Sequence, residues 1–142
     1  MTKPIPSIQK HMTSAPHAIG VDQPLSLAHE LMRKHEIRHL PVLDGGVLVG
    51  VLSDRDLHLI ETLHDVDPRK LEVEQAMSTS VYSVSPETPL DEVVTTMAEK
   101  KYGCAVVMQN NHVVGIFTTV DACRSLADLL HTRMSSEARY DR

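Results

Sequence analysis

The sequence predicts an α/β protein made of two β-α-β-β-α repeats related by a pseudo-two-fold axis. Three observations carry that prediction. Residues 12–56 recur at 77–121 with a constant offset of 65 and no gap: Met12, Pro24, Leu25, Met32, Val42, Val49, Gly50 and Asp56 return as Met77, Pro89, Leu90, Met97, Val107, Val114, Gly115 and Asp121. Within each copy, short β-rich runs alternate with a segment whose apolar residues recur at helical spacing. Of the 142 residues, 42 % are hydrophobic but only 3 % aromatic, so the core is aliphatic. A unit of about 60 residues is marginal alone, so the copies must share one buried interior.

Residues 1–6 are interrupted by proline and read as a flexible N-terminus. Ser7 is placed to cap a short helix reaching Met12. Pro16-His17-Ala18-Ile19-Gly20-Val21 is an extended stretch ended by turn formers. Over 25–36, Leu25, Leu27, Ala28, Leu31 and Met32 mark one helical face, and Pro24 suits a first turn that needs no N–H. Strands at 40–43 and 47–52 flank Asp44-Gly45-Gly46, a hairpin signature. Ser53 or Asp54 then caps a helix to Leu63.

The first repeat therefore spans 7–63, followed by a linker at 64–69. A second repeat occupies 70–130, with a strand at 81–84, a helix at 90–101, a strand at 104–108, a turn at Asn110-Asn111, a strand at 113–117 and a helix at 120–130. The polar C-terminal tail, 131–142, is expected to fray after Thr132. Six strands and four main helices result, with a concave cleft expected where the halves meet.

Composition removes several function classes. A net charge of −5 gives no basic footprint for nucleic acid, and scarce aromatics give no base-stacking platform. Cys104 and Cys123 are too few for a disulfide framework and lack metal-type spacing. The first residues contain no apolar run of a secretory leader, and no stretch reaches the roughly 18 apolar residues of a membrane span. A soluble, cytoplasmic protein is expected. Glycine-rich nucleotide loops are missing, and nothing assembles a nucleophile, base and oxyanion hole. No catalytic or metal site is assigned.

One pattern mimics an enzyme. His35-Glu36-Ile37-Arg38-His39 spells the zinc-peptidase motif His-Glu-x-x-His, which needs both histidines on one helical face. The helical period ends near Glu36, Pro41 puts His39 at a strand entrance, and the matching stretch Lys100-Lys101-Tyr102-Gly103-Cys104 has neither histidine. A zinc metallopeptidase is therefore only a remote alternative. The other histidines share no ligand spacing, and the seven methionines suit an adaptable core.

The two copies resemble CBS domains, the family named for cystathionine β-synthase, and the pair resembles a Bateman module. The resemblance rests on the Met-Thr-Ser and Met-Ser-Thr openings, the Pro-Leu helix starts and Ile37-Arg38-His39-Leu40-Pro41-Val42-Leu43-Asp44. It rests most on Gly50-Val51-Leu52-Ser53-Asp54-Arg55-Asp56, matched by Gly115-Ile116-Phe117-Thr118-Thr119-Val120-Asp121. It covers residues 7 to 130. The resemblance implies a non-catalytic regulatory module binding an adenosine-containing ligand between the repeats: AMP, ADP or ATP, with S-adenosylmethionine or NAD as further options.

The chemistry of the closing motif agrees with that implication. A carboxylate accepts two hydrogen bonds from a cis diol, and a hydroxyl with free N–H groups at a helix start suits phosphate. Capping by Asp in a first turn is the bland alternative, which by itself does not call for Ser or Thr three residues earlier. By resemblance, one site joins Val51, Ser53 and Asp56 to Ser78, Val81, Ser83, Tyr102, Gly103 and Cys104. Its mate joins Ile116, Thr118 and Asp121 to Thr13, Pro16, Ala18, Ile37, Arg38 and His39. Apolar members would sandwich adenine, and backbone near Ala18 and Ser83 would read its edge.

Arg38 and His39 against Gly103 and Cys104 predict that the Asp121 site prefers phosphorylated ligands, with Arg55 able to lend charge to the Asp56 site. Signalling would be a ligand-driven shift in repeat arrangement, passed to a regulated partner. A homodimer packed through helices 24–36 and 89–101 is expected. The alternative is a structural dimerisation module without ligand.

Overall fold

The computed structural model describes residues 4–64 and 67–140. Its elements run β1 (Thr13–Ser14), β2 (Ile19–Gly20), α1 (Leu25–His35), β3 (His39–Asp44), β4 (Val47–Ser53) and α2 (Asp54–His64). The second half runs α3 (Val73–Ala76), β5 (Ser83–Val84), α4 (Leu90–Lys100), β6 (Cys104–Gln109), β7 (His112–Thr118) and α5 (Thr119–Tyr140). A 3-10 turn at Ile8–Lys10 stands where a short helix was expected, and Ser7 precedes it without a side-chain cap bond.

Two mixed sheets form the framework, in the orders β1-β7-β6-β5 and β2-β3-β4. Pairings recur at the repeat offset. Strand β2 lies parallel to β3 through Ile19 and Val42, and β5 parallel to β6 through Val84 and Val107. Each hairpin shifts register at the same place, Val42/Leu43 and Val107/Met108. The hairpin turns need two left-handed residues, which suit glycine and asparagine best. Gly45 and Gly46 supply φ of 56° and 86°, and Asn110 and Asn111 supply 53° and 64°.

The opening of each repeat packs on the other repeat. Strand β1 pairs with β7, and Ile8, fully buried, belongs to the core of Val93, Met97, Ala105, Val107 and Phe117. In return, Val73 joins the core of Leu25, Ala28, Met32, Leu40, Val42 and Leu52. The backbone bonds match: Leu90 N–H donates to the Pro6 carbonyl, and Leu25 N–H to that of Leu71, each at 2.9 Å. Close approach needs glycine in β4 and β7. A Cβ on Gly50 would sit 2.7 Å from the Ser78 carbonyl oxygen, and one on Gly115 would collide with the Met12 sulfur.

Several expectations are corrected. The opening residues 13–14 form a seventh strand, because exchange gives them a partner in the other half. The stretch 16–21 is ordered as β only at Ile19–Gly20, and α2 runs to His64, one residue past the expected helix end at Leu63. Residues 65–66 of that linker, 1–3 of the N-terminus and 141–142 of the tail lie outside the described residues. Beyond Thr132 the backbone stays helical to Tyr140 rather than fraying. The helices expected to dimerise spend their apolar faces inside the chain: Leu25, Ala28 and Met32 on α1, Val93 and Met97 on α4. Among the described residues, six of the nine exposed large hydrophobics lie on α2 and α5: Leu59, Leu63, Val120, Leu126, Leu129 and Leu130.

Candidate functional site

The two closing motifs fold alike. The Ser53 N–H donates to Asp56 Oδ2 at 2.9 Å while the Asp56 N–H donates to Ser53 Oγ at 3.1 Å. At the twin position the Thr118 N–H donates to Asp121 Oδ2 at 2.9 Å and the Asp121 N–H to Thr118 Oγ1 at 3.3 Å. This reciprocal pair is a capping box, which asks for a hydroxyl residue followed three positions later by an acid. The sequence argument that capping leaves the hydroxyl unexplained is therefore corrected. The spacing is accounted for by α2 and α5 alone, and a ligand role needs further support.

That support differs between the motifs. Asp121 is buried to 7 % exposure, and the exchange of openings brings Thr13 over it. Its Oδ1 accepts from Thr13 Oγ1 at 3.4 Å and from the Arg124 guanidinium at 3.5 Å, both long contacts. A cleft of about 980 Å³ opens over this carboxylate. It gathers Thr13, Pro16, Ile37, Arg38, His39, Ile116, Thr118 and Asp121, which is the expected second set without Ala18. Ala18 sits half-buried just before β2, away from the lining.

The first set is not assembled in the same way. Ser53, Tyr102 and Gly103 line the Asp121 cleft, and so does Arg55, which was expected to serve the Asp56 side. Val51 and Ser78 meet through two backbone bonds of 2.9 Å, the counterpart of the β1–β7 pairing. Tyr102 packs against Tyr82 with ring centroids 5.3 Å apart, between half-buried Val81 and exposed Ser83 in sequence. Tyr82 and Tyr102 are the twins of His17 and Ile37; in the first half His17 instead stacks on His35 at 3.6 Å.

His39 and Cys104, also twins, open β3 and β6 and are half-buried. Burial holds the His39 imidazole below its usual pKa, against opposing pulls from Asp54 and Asp56 and a further push down from Arg38. Burial, reinforced by Asp56, raises the Cys104 thiol to about 11, which keeps it protonated and a poor nucleophile at neutral pH. A Cβ on Gly103 would come within 2.8 Å of His39 Nε2, so the two repeats touch here with no room to spare. The zinc-peptidase pattern is broken by geometry: α1 ends at His35, Glu36 is left-handed at φ 54°, and His39 opens β3.

Charge is the other property of the cleft. Arg38, Arg55, Lys101 and Arg124 face Glu36, Asp54 and Asp121 there, a positive excess on a chain of net charge −5. Arg124 and Lys101 were not foreseen. Arg124 was reachable from sequence, since three residues after Asp121 on a helix is the same face. Lys101 was not, because it enters through the left-handed end of α4, at φ 60°.

The CBS domain family model matches residues 1–59 and 73–128. The CBS domain-containing protein YhcV of Bacillus subtilis is 30 % identical over 132 residues, covering 93 % of this chain and 89 % of that protein. AcuB of Vibrio cholerae has a crystal structure that superposes with a TM-score of 0.83 at 30 % identity, covering 93 % of this chain and 98 % of its own. The CBS domain pair of protein MJ0100, solved with 5′-methylthioadenosine and S-adenosyl-L-methionine, aligns at TM-score 0.76 and 26 % identity over 88 % of this chain and 98 % of its own. Among the described residues, no helix is long and apolar enough to cross a membrane. Repeat, fold and family model agree, and the chain belongs to the CBS domain family.

Proposed function

We propose that the chain is a non-catalytic regulatory module whose Asp121 cleft binds an adenosine-containing ligand, with AMP, ADP and ATP the first candidates and NAD and S-adenosylmethionine the others. One observation carries this reading: a carboxylate with 7 % exposure stands in a cleft of about 980 Å³ made from both repeats. Its Oδ1 is held only by long contacts, so a ribose diol can take them over. Ile37, Ile116 and Pro16 supply apolar surface for a base, and the cleft cations supply partners for phosphate. The adenosyl complex of the MJ0100 pair supports the ligand class.

A ligand that touches Thr13 and Ile37 on one side and Thr118 and Asp121 on the other favours one arrangement of the repeats. That difference in affinity is what a signal to a regulated protein requires. A homodimer in the cytoplasm is part of the same reading, now through α2 and α5, whose exposed leucines give the apolar surface. Those leucines also favour the rival reading, a dimerisation module without ligand.

Thermal melting with adenosine, AMP, ADP, ATP, NAD and S-adenosylmethionine separates the two. A ligand at a hundred times its Kd adds about 2.7 kcal/mol, a rise of roughly 5–10 °C in Tm for a chain of this size. Asp121→Asn, which keeps an acceptor for the cap, is expected to abolish the rise. If no compound raises Tm at millimolar concentration, the ligand reading fails.

A further inference from the structure

The four cations of the cleft are distributed with a bias that the repeat makes visible. At the 65-residue offset, Arg38 faces Gly103, Arg55 faces Val120, Lys101 faces Glu36 and Arg124 faces Leu59. Each cation has a neutral or acidic twin, and all four line one cleft. Arg124 stands apart because it already holds a ligand-facing atom. Asp121 Oδ2 is committed to the Thr118 N–H and hydroxyl at 2.9 and 3.2 Å. Only Oδ1 is free to change partners, and Arg124 reaches it at 3.5 Å from a side chain that is 68 % exposed.

We propose that Arg124 is an exchangeable counter-ion that makes the cleft select phosphorylated nucleotides over bare nucleosides. The inference rests on the proposed binding of an adenosine-containing ligand at Asp121. A diol that bonds to Oδ1 displaces the guanidinium. When the ligand carries a phosphate, the guanidinium re-forms a charge-assisted bond on it, and the exchange costs nothing net. When the ligand is a nucleoside, the displaced guanidinium returns to water without a charged partner, so the lost ion pair is not replaced and binding is weaker. Leu59 gives the Asp56 side no such device.

The test is titration calorimetry on the full chain with adenosine, AMP and ATP, for wild type, Arg124→Leu (the twin residue) and Arg124→Lys. Wild type is expected to bind AMP at least about tenfold more tightly than adenosine, the scale of one charge-assisted hydrogen bond. Arg124→Leu is expected to lower AMP affinity while leaving adenosine equal or tighter, so the ratio falls several-fold, the part that Arg38, Arg55 and Lys101 supply remaining. Arg124→Lys should restore most of it. A salt titration should show AMP losing affinity more steeply in wild type than in the Leu variant. If Arg124→Leu weakens both compounds equally, or neither, the counter-ion role is wrong while nucleotide binding stands. If wild type binds none of the three, the inference falls, while the reading beneath it stands or falls on the melting experiment with NAD and S-adenosylmethionine included. A melting curve for each variant separates lost selectivity from lost fold.

Discussion

The Asp56 and Asp121 ends of the molecule share one capping box and differ in everything placed around it. At the Asp121 end, Thr13 and Arg124 add to the box, and a cleft of about 980 Å³ opens on the carboxylate. At the Asp56 end, the carboxylate lies beside His39 and Cys104, pulling on both, and a tyrosine pair occupies the positions held by His17 and Ile37 on the other side. Duplication preserved the part that ends a strand and starts a helix, which folding needs twice. The surroundings, which folding does not need twice, differ. A motif kept in both copies therefore reports the fold, and the difference between copies marks the candidate site.

The sharpest way to break this comparison is at the crossing points between halves. Gly50→Ala drives a methyl into a backbone carbonyl, whereas Gly115→Ala meets the side chain of Met12, which can rotate away. Urea unfolding should show a loss of about 3 kcal/mol for the first and about 1 kcal/mol for the second. Equal losses would mean that the two openings are held equally rigidly.

Next in size are the carboxylates themselves. Asp56→Ala removes a capping box and should cost about 1 kcal/mol. Asp121→Ala also removes a buried carboxylate that accepts from Thr13 and Arg124, so roughly 2 kcal/mol is expected from the same measurement. A larger loss at Asp56 would overturn the ranking of the two ends.

The smallest effect is on pH, and it belongs to one twin only. Because folding lowers the His39 pKa from 6.5, the unfolded chain binds a proton below that value which the folded chain refuses. Stability should hold above about pH 6.5 and decline as pH falls through and below it. Cys104, raised to about 11, stays neutral over that range and contributes no slope. Melting temperatures followed from about pH 7.5 to 5.5 should fall less for His39→Gln than for wild type. An unchanged slope would assign the acid sensitivity to other groups.

Much of the architecture was legible in the chain because periodicity is local. The runs around Val42, Val49, Val107 and Val114 gave the hairpins, and the spacing from Leu25 to Met32 gave α1. The strand at Thr13–Ser14 was not legible, since two residues carry no period and their partner lies more than a hundred positions away. The apolar faces of α1 and α4, expected to pack a dimer, are covered within the chain for a related reason: an amphipathic face shows that a helix is covered, without saying by what. For the site, residue types and the pairing of one repeat's end with the other's beginning could be argued from resemblance. The merging of Ser53, Arg55, Tyr102 and Gly103 into the Asp121 cleft could not.

The sequence by itself determined the duplication, the order of elements, the aliphatic core and the two Ser/Thr-x-x-Asp helix starts, because each depends on neighbours within a few residues. Only the tertiary structure decided that the openings are exchanged, that Asp121 lies in the open cleft and that four unmatched cations gather beside it. Those outcomes depend on which distant surfaces meet, and two nearly equal copies can meet in ways that no spacing along the chain distinguishes.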